Sequence, residues 1–152
     1  MLIGVISDTH GLLRPEALEA LAGVEHIIHA GDIGNPDIVP RLSEIAPVTA
    51  IRGNVDTQPW AQVFPPWQSV TLAGRTIYVI HDLGDLDLDP ATAGFDLVIS
   101  GHSHQPKTET ARGIVYLNPG SAGPRRFKLP ITLATVDLNA SPPRPEVHQL
   151  IE

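Results

Sequence analysis

The sequence predicts an α/β protein with two β-sheets, and two observations support this class. In the first half, short Val- and Ile-rich runs alternate with segments that suit helices, which is typical of parallel strands joined by right-handed crossovers. Later runs are separated by Gly- and Pro-containing turns, which indicates hairpins and a second sheet. With 152 residues and 42% hydrophobic residues, we expect a single domain, residues 1–152, around one sizeable core.

The first half is predicted to contain three strands and two helices. The strands lie in residues 2–7, 26–31 and 48–53. Pro15 suits the first turn of a helix that ends near Gly23, and Pro36 opens a second helix that reaches about residue 45. Pro40 falls inside that second helix and is expected to shorten or kink it.

The rest of the chain is predicted to be mainly strands. Residues 68–74 and 75–82 form a hairpin, and further strands lie in 95–101, 114–120, 131–138 and 144–152. Residues 56–67 hold three prolines and two tryptophans, which indicates an irregular covering loop or a sheet edge. Trp60 and Trp67 are expected to cover the core; a substrate lip or a subunit contact is the alternative.

Composition excludes several function classes. The formal charge of -7 argues against stable nucleic-acid binding and against binding to an anionic membrane. The absence of Cys excludes thiolate chemistry and disulfides. No apolar run approaches the length of a membrane span, and the start has no basic region of a signal peptide, so we expect a cytoplasmic protein.

Side chains that can ligate a metal follow five of the predicted strands, where the loops of parallel strands gather. Two further histidines lie two positions after members of this set, and an extended backbone would point each pair the same way. This mixture of oxygen and nitrogen ligands suits Mn, Fe, Zn, Co or Ni better than Ca or Mg. Seven ligands exceed the needs of one ion, whereas two ions that share a carboxylate would use them all. The set is Asp8, His10, Asp32, Asn54, His81, His102 and His104.

The motifs DTH, GD, GN, a His after an apolar strand, and GHSH, in this order, resemble the calcineurin-like metallophosphoesterase superfamily, in particular its small bacterial and archaeal phosphodiesterases. The resemblance runs from Met1 to about Phe127 and includes the segment LNPGSAGPRR. Each motif alone is weak evidence for the superfamily, but the complete set in this order is specific to it.

The resemblance implies a sandwich of two sheets flanked by helices, with a dinuclear metal site at one edge. Asp8, His10, Asp32 and His104 would hold the first ion, and Asp32, Asn54, His81 and His102 the second, so that Asp32 bridges. Two divalent ions, manganese first and Ni, Co, Fe or Zn as alternatives, would supply a metal-bound hydroxide that attacks a small phosphate ester without a covalent enzyme intermediate. The expected substrate is a phosphodiester. Homo-oligomerisation is left open.

Two positions depart from the pattern of the superfamily. Many members carry His where this chain has Val55, so no separate acid is assigned and substrates with good leaving groups are favoured. Asp82 follows His81 where relatives usually have Gly, and its carboxylate is expected to repel substrate, to ligate, or to point away.

For most polar residues outside the ligand set we expect a structural role. His29 is expected to be a packed or hydrogen-bonded core residue, and Asp56 to orient a ligand or stabilise its loop. Asn118 and Gly120 are expected to shape a turn near the site. Arg125 and Arg126 would either meet a substrate phosphate or lie solvated on the surface.

Two alternative functions are considered. A catalytically weak or inactive scaffold for protein interactions would resemble the retromer subunit that shares this fold, although all seven ligand positions are filled here. A nucleotide or dinucleoside polyphosphate hydrolase would need a base-stacking surface and basic residues near the site.

Overall fold

The computed structural model describes residues 1–152 and contains two five-stranded sheets. The first sheet has the order β10-β9-β1-β2-β3. β1 is parallel to β2 and β2 to β3, whereas β9 is antiparallel to both β1 and β10. Its strands are β1 (Leu2–Ile6), β2 (His26–His29), β3 (Val48–Ala50), β9 (Ile131–Asp137) and β10 (Arg144–Ile151).

The second sheet has the order β4-β5-β6-β8-β7. The predicted hairpin of β4 and β5 is confirmed, β6 is parallel to both β5 and β8, and β7 is antiparallel to β8. Its strands are β4 (Trp67–Leu72), β5 (Arg75–Ile80), β6 (Leu97–Ile99), β7 (Lys107–Ala111) and β8 (Ile114–Asn118).

The two sheets share one apolar core. A cluster of 14 buried residues joins Ile3, Val5 and Ile28 of the first sheet to Val79 and Ile99 of the second. A separate cluster packs the helices onto the other face of the first sheet. Continuous burial of the central strands explains why they appear in the sequence as uninterrupted Val and Ile runs.

The helices are short. α1 (Pro15–Ala20) begins at a proline as predicted, and α2 (Ile38–Ser43) begins two residues later than the predicted start at Pro36. Pro40 therefore lies in the first turn of α2, where a backbone N–H has no helical partner to lose. α3 (Pro90–Ala93) and two 3-10 helices, Pro59–Val63 and Leu83–Asp85, complete the helical elements.

The carboxyl ends of β1, β2, β3, β5 and β6 lead into the segments that carry the predicted ligands. The first three strands belong to one sheet and the last two to the other. Donors from both sheets are therefore brought to one edge of the molecule, as the parallel pairing requires.

Candidate metal centre

Two carboxylates and three imidazoles converge at this edge. Asp8 Oδ1 lies 3.4 Å from Nε2 of His104 and 3.8 Å from Nε2 of both His10 and His81. Asp32 Oδ2 lies 3.2 Å from His81 Nε2 and 3.6 Å from His10 Nε2. The Nε2 atoms of His10 and His104 are 3.3 Å apart.

These donors suit divalent cations. Two groups of residues, Asp8 with His10 and His104, and Asp8 with Asp32 and His81, each place their ligand atoms within 4.8 Å of one another. Three buried polar atoms lack any hydrogen-bond partner: Asp8 Oδ1, His81 Nε2 and His104 Nδ1. Leaving buried polar groups unpaired is costly, and cations bound among these carboxylates and imidazoles would satisfy Asp8 Oδ1 and His81 Nε2.

The backbone around the site is left-handed at five of the seven predicted ligands. The φ angles are 56° at Asp8, 46° at His10, 56° at Asp32, 73° at His102 and 63° at His104. The expectation of extended pairs is therefore wrong. Asp8 and His10 do converge, but the His104 side chain contacts Asp8 and His10 whereas the His102 side chain lies beside Asp82. Positive φ is uncommon outside glycine and is retained where surrounding contacts enforce it.

His102 and Asn54 lie at the rim of the cluster. The His102 side chain is 46% exposed, its ring meets that of His81 edge-on with centroids 5.3 Å apart, and its Nε2 lies 3.8 Å from Asp82 Oδ2. Asn54 is exposed and lines a cavity together with His81 and His102. The structure thus gathers five of the seven predicted residues tightly and places two beside them.

Hydrogen bonds from neighbouring loops orient the two carboxylates. Asp8 Oδ2 accepts from Ser7 Oγ at 2.7 Å and from the backbone N–H of His102 at 3.1 Å. Asp32 Oδ1 accepts from the N–H of Val55 at 3.1 Å. Ser7 was not predicted, because a small polar residue at the end of a strand carries no distinctive signal in one sequence.

The loops themselves are tied together by buried polar side chains. Asp56 accepts three backbone N–H groups, from Ile33, Gly34 and Gly53, at 2.8–3.0 Å. Asn118 donates to the carbonyl of Gly101 at 2.9 Å and accepts from the N–H of Gly120 at 2.9 Å. These contacts confirm that Asp56 stabilises its loop and that Asn118 and Gly120 shape a turn.

His29 connects the ends of β1 and β2. It is wholly buried; its Nδ1 accepts from Gly31 N–H at 3.1 Å, so its Nε2 donates to Thr9 Oγ1 at 3.0 Å. The Thr9 hydroxyl then donates to the Ile33 carbonyl at 2.8 Å. The predicted core role is confirmed, and burial lowers the pKa of His29 to about 4, which keeps the ring neutral.

The charged groups of the cluster shift one another's pKa values. Burial opposes ionisation of Asp8, but its contacts with His10, His104, His81 and Ser7 outweigh burial and hold its pKa well below the usual range. Asp32 behaves in the same way, with burial outweighed chiefly by His81. Contact with Asp8 raises the pKa of His10 against the effect of burial, and the two carboxylates raise the pKa of His81 although burial lowers it.

Two glycines of the sequence motifs make room for the carboxylates. A Cβ on Gly53 would overlap Oδ1 of Asp32, and a Cβ on Gly101 would overlap the Ser7 hydroxyl and approach Oδ2 of Asp8. The Gly before Asn54 and the Gly before His102 are therefore required by close approach.

Asp82, the two arginines and the two tryptophans lie outside the group of five converging ligands. Asp82 accepts from the N–H of Gly84 at 2.9 Å, caps a 3-10 turn and faces His102. Arg125 donates to the carbonyls of Leu129 and Glu152, and both it and Arg126 are exposed. Trp60 packs against the core as predicted. Trp67 covers Tyr78 of a smaller buried cluster, but the residue is 54% exposed, because it begins an edge strand.

Comparison with known proteins identifies the fold and the family. The sequence profile of the calcineurin-like phosphoesterase superfamily domain matches residues 1–141. The chain belongs to this superfamily. The resemblance carried by the five motifs is thereby confirmed, and the fold is that of its members.

Several members of the superfamily are similar to the chain. A probable metallophosphoesterase of Methanothermobacter thermautotrophicus is 41% identical over 80% of this chain and 77% of its own length. Phosphodiesterase YfcE of Escherichia coli is 33% identical over 76% of each chain.

Solved structures show the same architecture. An archaeal phosphodiesterase superimposes with a TM-score of 0.81 at 24% identity, covering 97% of this chain and 100% of that one. Vps29 of Chaetomium thermophilum superimposes with a TM-score of 0.77 at 17% identity, covering 98% and 95%. At this identity both structures support the fold alone. No helix here combines the length and apolar character that a transmembrane segment needs.

Proposed function

We propose that the chain, as a single domain, is a dinuclear metal-dependent phosphodiesterase. One observation carries the proposal: the buried Asp8 carboxylate has an unpaired Oδ1 that faces the Nε2 atoms of three histidines. Membership of the superfamily and similarity to proteins named phosphodiesterases support the reaction class.

The seven predicted residues divide between two ions. Asp8, His10, Asp32 and His104 are proposed to hold the first, and Asp32, Asn54, His81 and His102 the second. The position of Asp32 supports its bridging role, since its Oδ2 lies 3.6 Å from His10 in the first set and 3.2 Å from His81 in the second, closer to each than Asp8 Oδ1, which is 3.8 Å from both. His81 Nδ1 lies 2.7 Å from the Ala30 carbonyl and donates to it, which directs the lone pair of Nε2 towards the carboxylates.

Two divalent cations bound there would activate a water molecule and neutralise charge on the phosphoryl group. The protein residues hold and orient the ligands: Ser7 and the His102 N–H fix Asp8, and the Val55 N–H fixes Asp32. The Val55 side chain is 45% exposed and carries no transferable proton. We therefore propose that the enzyme favours esters whose alcohol leaves without protonation.

Metal reconstitution tests the proposal. The protein is stripped with chelator, and Mn, Co, Ni, Zn or Mg is restored singly before hydrolysis of bis(4-nitrophenyl) phosphate and 4-nitrophenyl phosphate is measured. We expect Mn to restore the most activity and the diester to be the better substrate.

Circular dichroism of each sample shows whether the fold survives chelation. A folded protein that no metal activates on either ester would contradict the enzyme and favour the scaffold alternative. Faster turnover of the monoester would retain the hydrolase and reject the preference for diesters.

A further inference from the structure

A cavity of about 310 Å³ opens beside the candidate metal centre. Asn54, His81 and His102 form the side that faces the centre, and Trp67 lies on the wall with Arg52 and Asp85. A group esterified to a phosphate held at the centre would extend into this cavity.

Packing against Tyr78 fixes the orientation of the Trp67 ring. In the β4–β5 pair Trp67 lies opposite Ile80, the residue before His81, which sets its distance from the centre. Its ring stacks on Tyr78 with an interplanar angle of 19° and centroids 5.9 Å apart. Tyr78 is only 3% exposed and meets the edge of Phe95, whereas Trp67 is 54% exposed. An indole held in place with much of its surface free is a preorganised stacking platform.

The charges of the cavity select against a second anionic group. Its acids are Asp82 and Asp85, and its one cationic side chain, Arg52, already donates to the Phe64 carbonyl at 2.5 Å. A polyphosphate or a carboxylate would therefore meet net negative charge away from the metals.

A larger cavity, of about 420 Å³, lies on the other side of His102 and has a different character. It is lined mainly by polar side chains, including the exposed Lys107–Glu109 pair with atoms 3.4 Å apart, and by no comparably exposed aromatic ring. It suits the second, polar ester group of a diester, and not a stacked ring.

We propose that the smaller cavity binds an uncharged planar aromatic ring, carried on one ester group of the substrate, by stacking on Trp67. This inference rests on the proposed phosphodiesterase function and narrows its substrate class to aryl or nucleoside phosphodiesters. Alkyl esters and polyphosphates are disfavoured.

Binding of three monoanionic ligands tests the inference. The phenyl, cyclohexyl and adenosine 5′-O-esters of methylphosphonic acid are titrated calorimetrically into the metal-loaded full chain. Since stacking on an aromatic side chain is worth about 5- to 140-fold in affinity, we expect at least one planar ligand to bind more than about fivefold tighter than the cyclohexyl ester. Preference for phenyl indicates an aryl ester, and preference for adenosine a nucleoside ester.

Variants of Trp67 test whether its aromatic ring causes the preference for planar ligands. Trp67→Leu keeps an apolar side chain on the edge strand and is expected to abolish the preference, whereas Trp67→Phe should retain most of it. Phe127→Leu changes an aromatic residue that is 88% exposed outside the cavity and should have no effect. Equal affinity for cyclohexyl and planar ligands, or an unchanged preference in Trp67→Leu, would overturn the inference.

Turnover of bis(4-nitrophenyl) phosphate by the same samples separates the two proposals. Turnover without Trp67-dependent stacking rejects the aromatic subsite alone. Trp67-dependent stacking without turnover rejects the phosphodiesterase function while the ring-binding site stands.

Discussion

Asp8 shows how individual residues specify the centre. Its Oδ2 is fully occupied by Ser7 and the His102 N–H, so only Oδ1 is free to meet a cation. One donor is the adjacent residue in the chain and the other follows β6 of the second sheet, so the orientation of the carboxylate depends on both sheets. Removing a direct ligand should be more damaging than removing either donor.

Replacing His104 with Ala should lower the occupancy of one ion and abolish most diesterase activity. Loss of outer groups typically costs about 10- to 100-fold, so loss of a direct ligand is expected to cost more than about 100-fold. Bound metal is counted by elemental analysis and activity by nitrophenolate release. His148→Ala, a histidine on β10 bonded to Thr135, is the matched control. Full activity of the His104 variant would refute the ligand assignment.

Replacing Val55 with His tests the missing acid. The new imidazole should speed cleavage of methyl phenyl phosphate more than that of methyl 4-nitrophenyl phosphate, since only the poorer leaving group needs a proton. General acids contribute about 100-fold or more when well placed. Val55→Gln supplies a similar volume with no titratable proton. Unchanged relative rates in the His variant would count against the proposal.

At the scale of the elements, the sequence predicts every strand except β7, including the partly exposed edge strands β4 and β10. β1, β2, β5 and β6 are recognisable because burial demands Val and Ile. β7 was missed because its sequence, KTETA, is exposed at every residue and carries no apolar period.

The donor set was predictable, but its geometry was not. Ligand-type residues at strand ends are visible in the sequence, and their parallel arrangement predicts convergence. The left-handed turns at Asp8, His10 and His104 depend on tertiary contacts that no local propensity records. This is why extended pairs were expected there.

His29 couples the ends of β1 and β2 and should make stability depend on pH. Its native pKa of about 4 lies below the unfolded value of 6.5, so the unfolded state binds more protons between these pH values. Its contribution is fully present above pH 6.5 and is lost as the pH falls towards 4.

Replacing His29 with Gln should therefore flatten the dependence of the unfolding free energy on pH in this window. The slope of the unfolding free energy against pH should fall by up to about 1.4 kcal/mol per pH unit, which corresponds to one proton taken up on unfolding. Urea unfolding with chelator present, at intervals from pH 4.5 to 7, measures it. His148→Gln, at a histidine of β10 bonded to Thr135, is the control. Parallel curves for wild type and the His29 variant would contradict the expectation.

At the scale of the whole molecule, the candidate centre joins the two sheets. Asp8, His10 and Asp32 follow strands of one sheet, whereas His81 and His104 follow strands of the other. Without cations, two buried carboxylates and unpaired imidazole atoms lie at this junction. Bound cations should therefore stabilise the packing of one sheet on the other.

Addition of Mn to the stripped protein should raise its Tm. At a concentration 100 times Kd the stabilisation is about 2.7 kcal/mol, which corresponds to roughly 5–10 °C for a domain of this size. Scanning fluorimetry measures the shift, and the His104→Ala variant should show a smaller one. An unchanged Tm for wild-type protein under saturating Mn would show that the ions do not bridge the sheets.

The order of the strands has a further consequence during synthesis on the ribosome. β1 emerges first, yet one of its two neighbours, β9, is made only at residues 131–137. The donors likewise span positions 8 to 104, so a nascent chain that has exposed only its first half offers Asp8, His10, Asp32 and Asn54 without their histidine partners from the second sheet. Metal acquisition should accordingly wait until residues 131–137 have been made and β1 has gained its second neighbour.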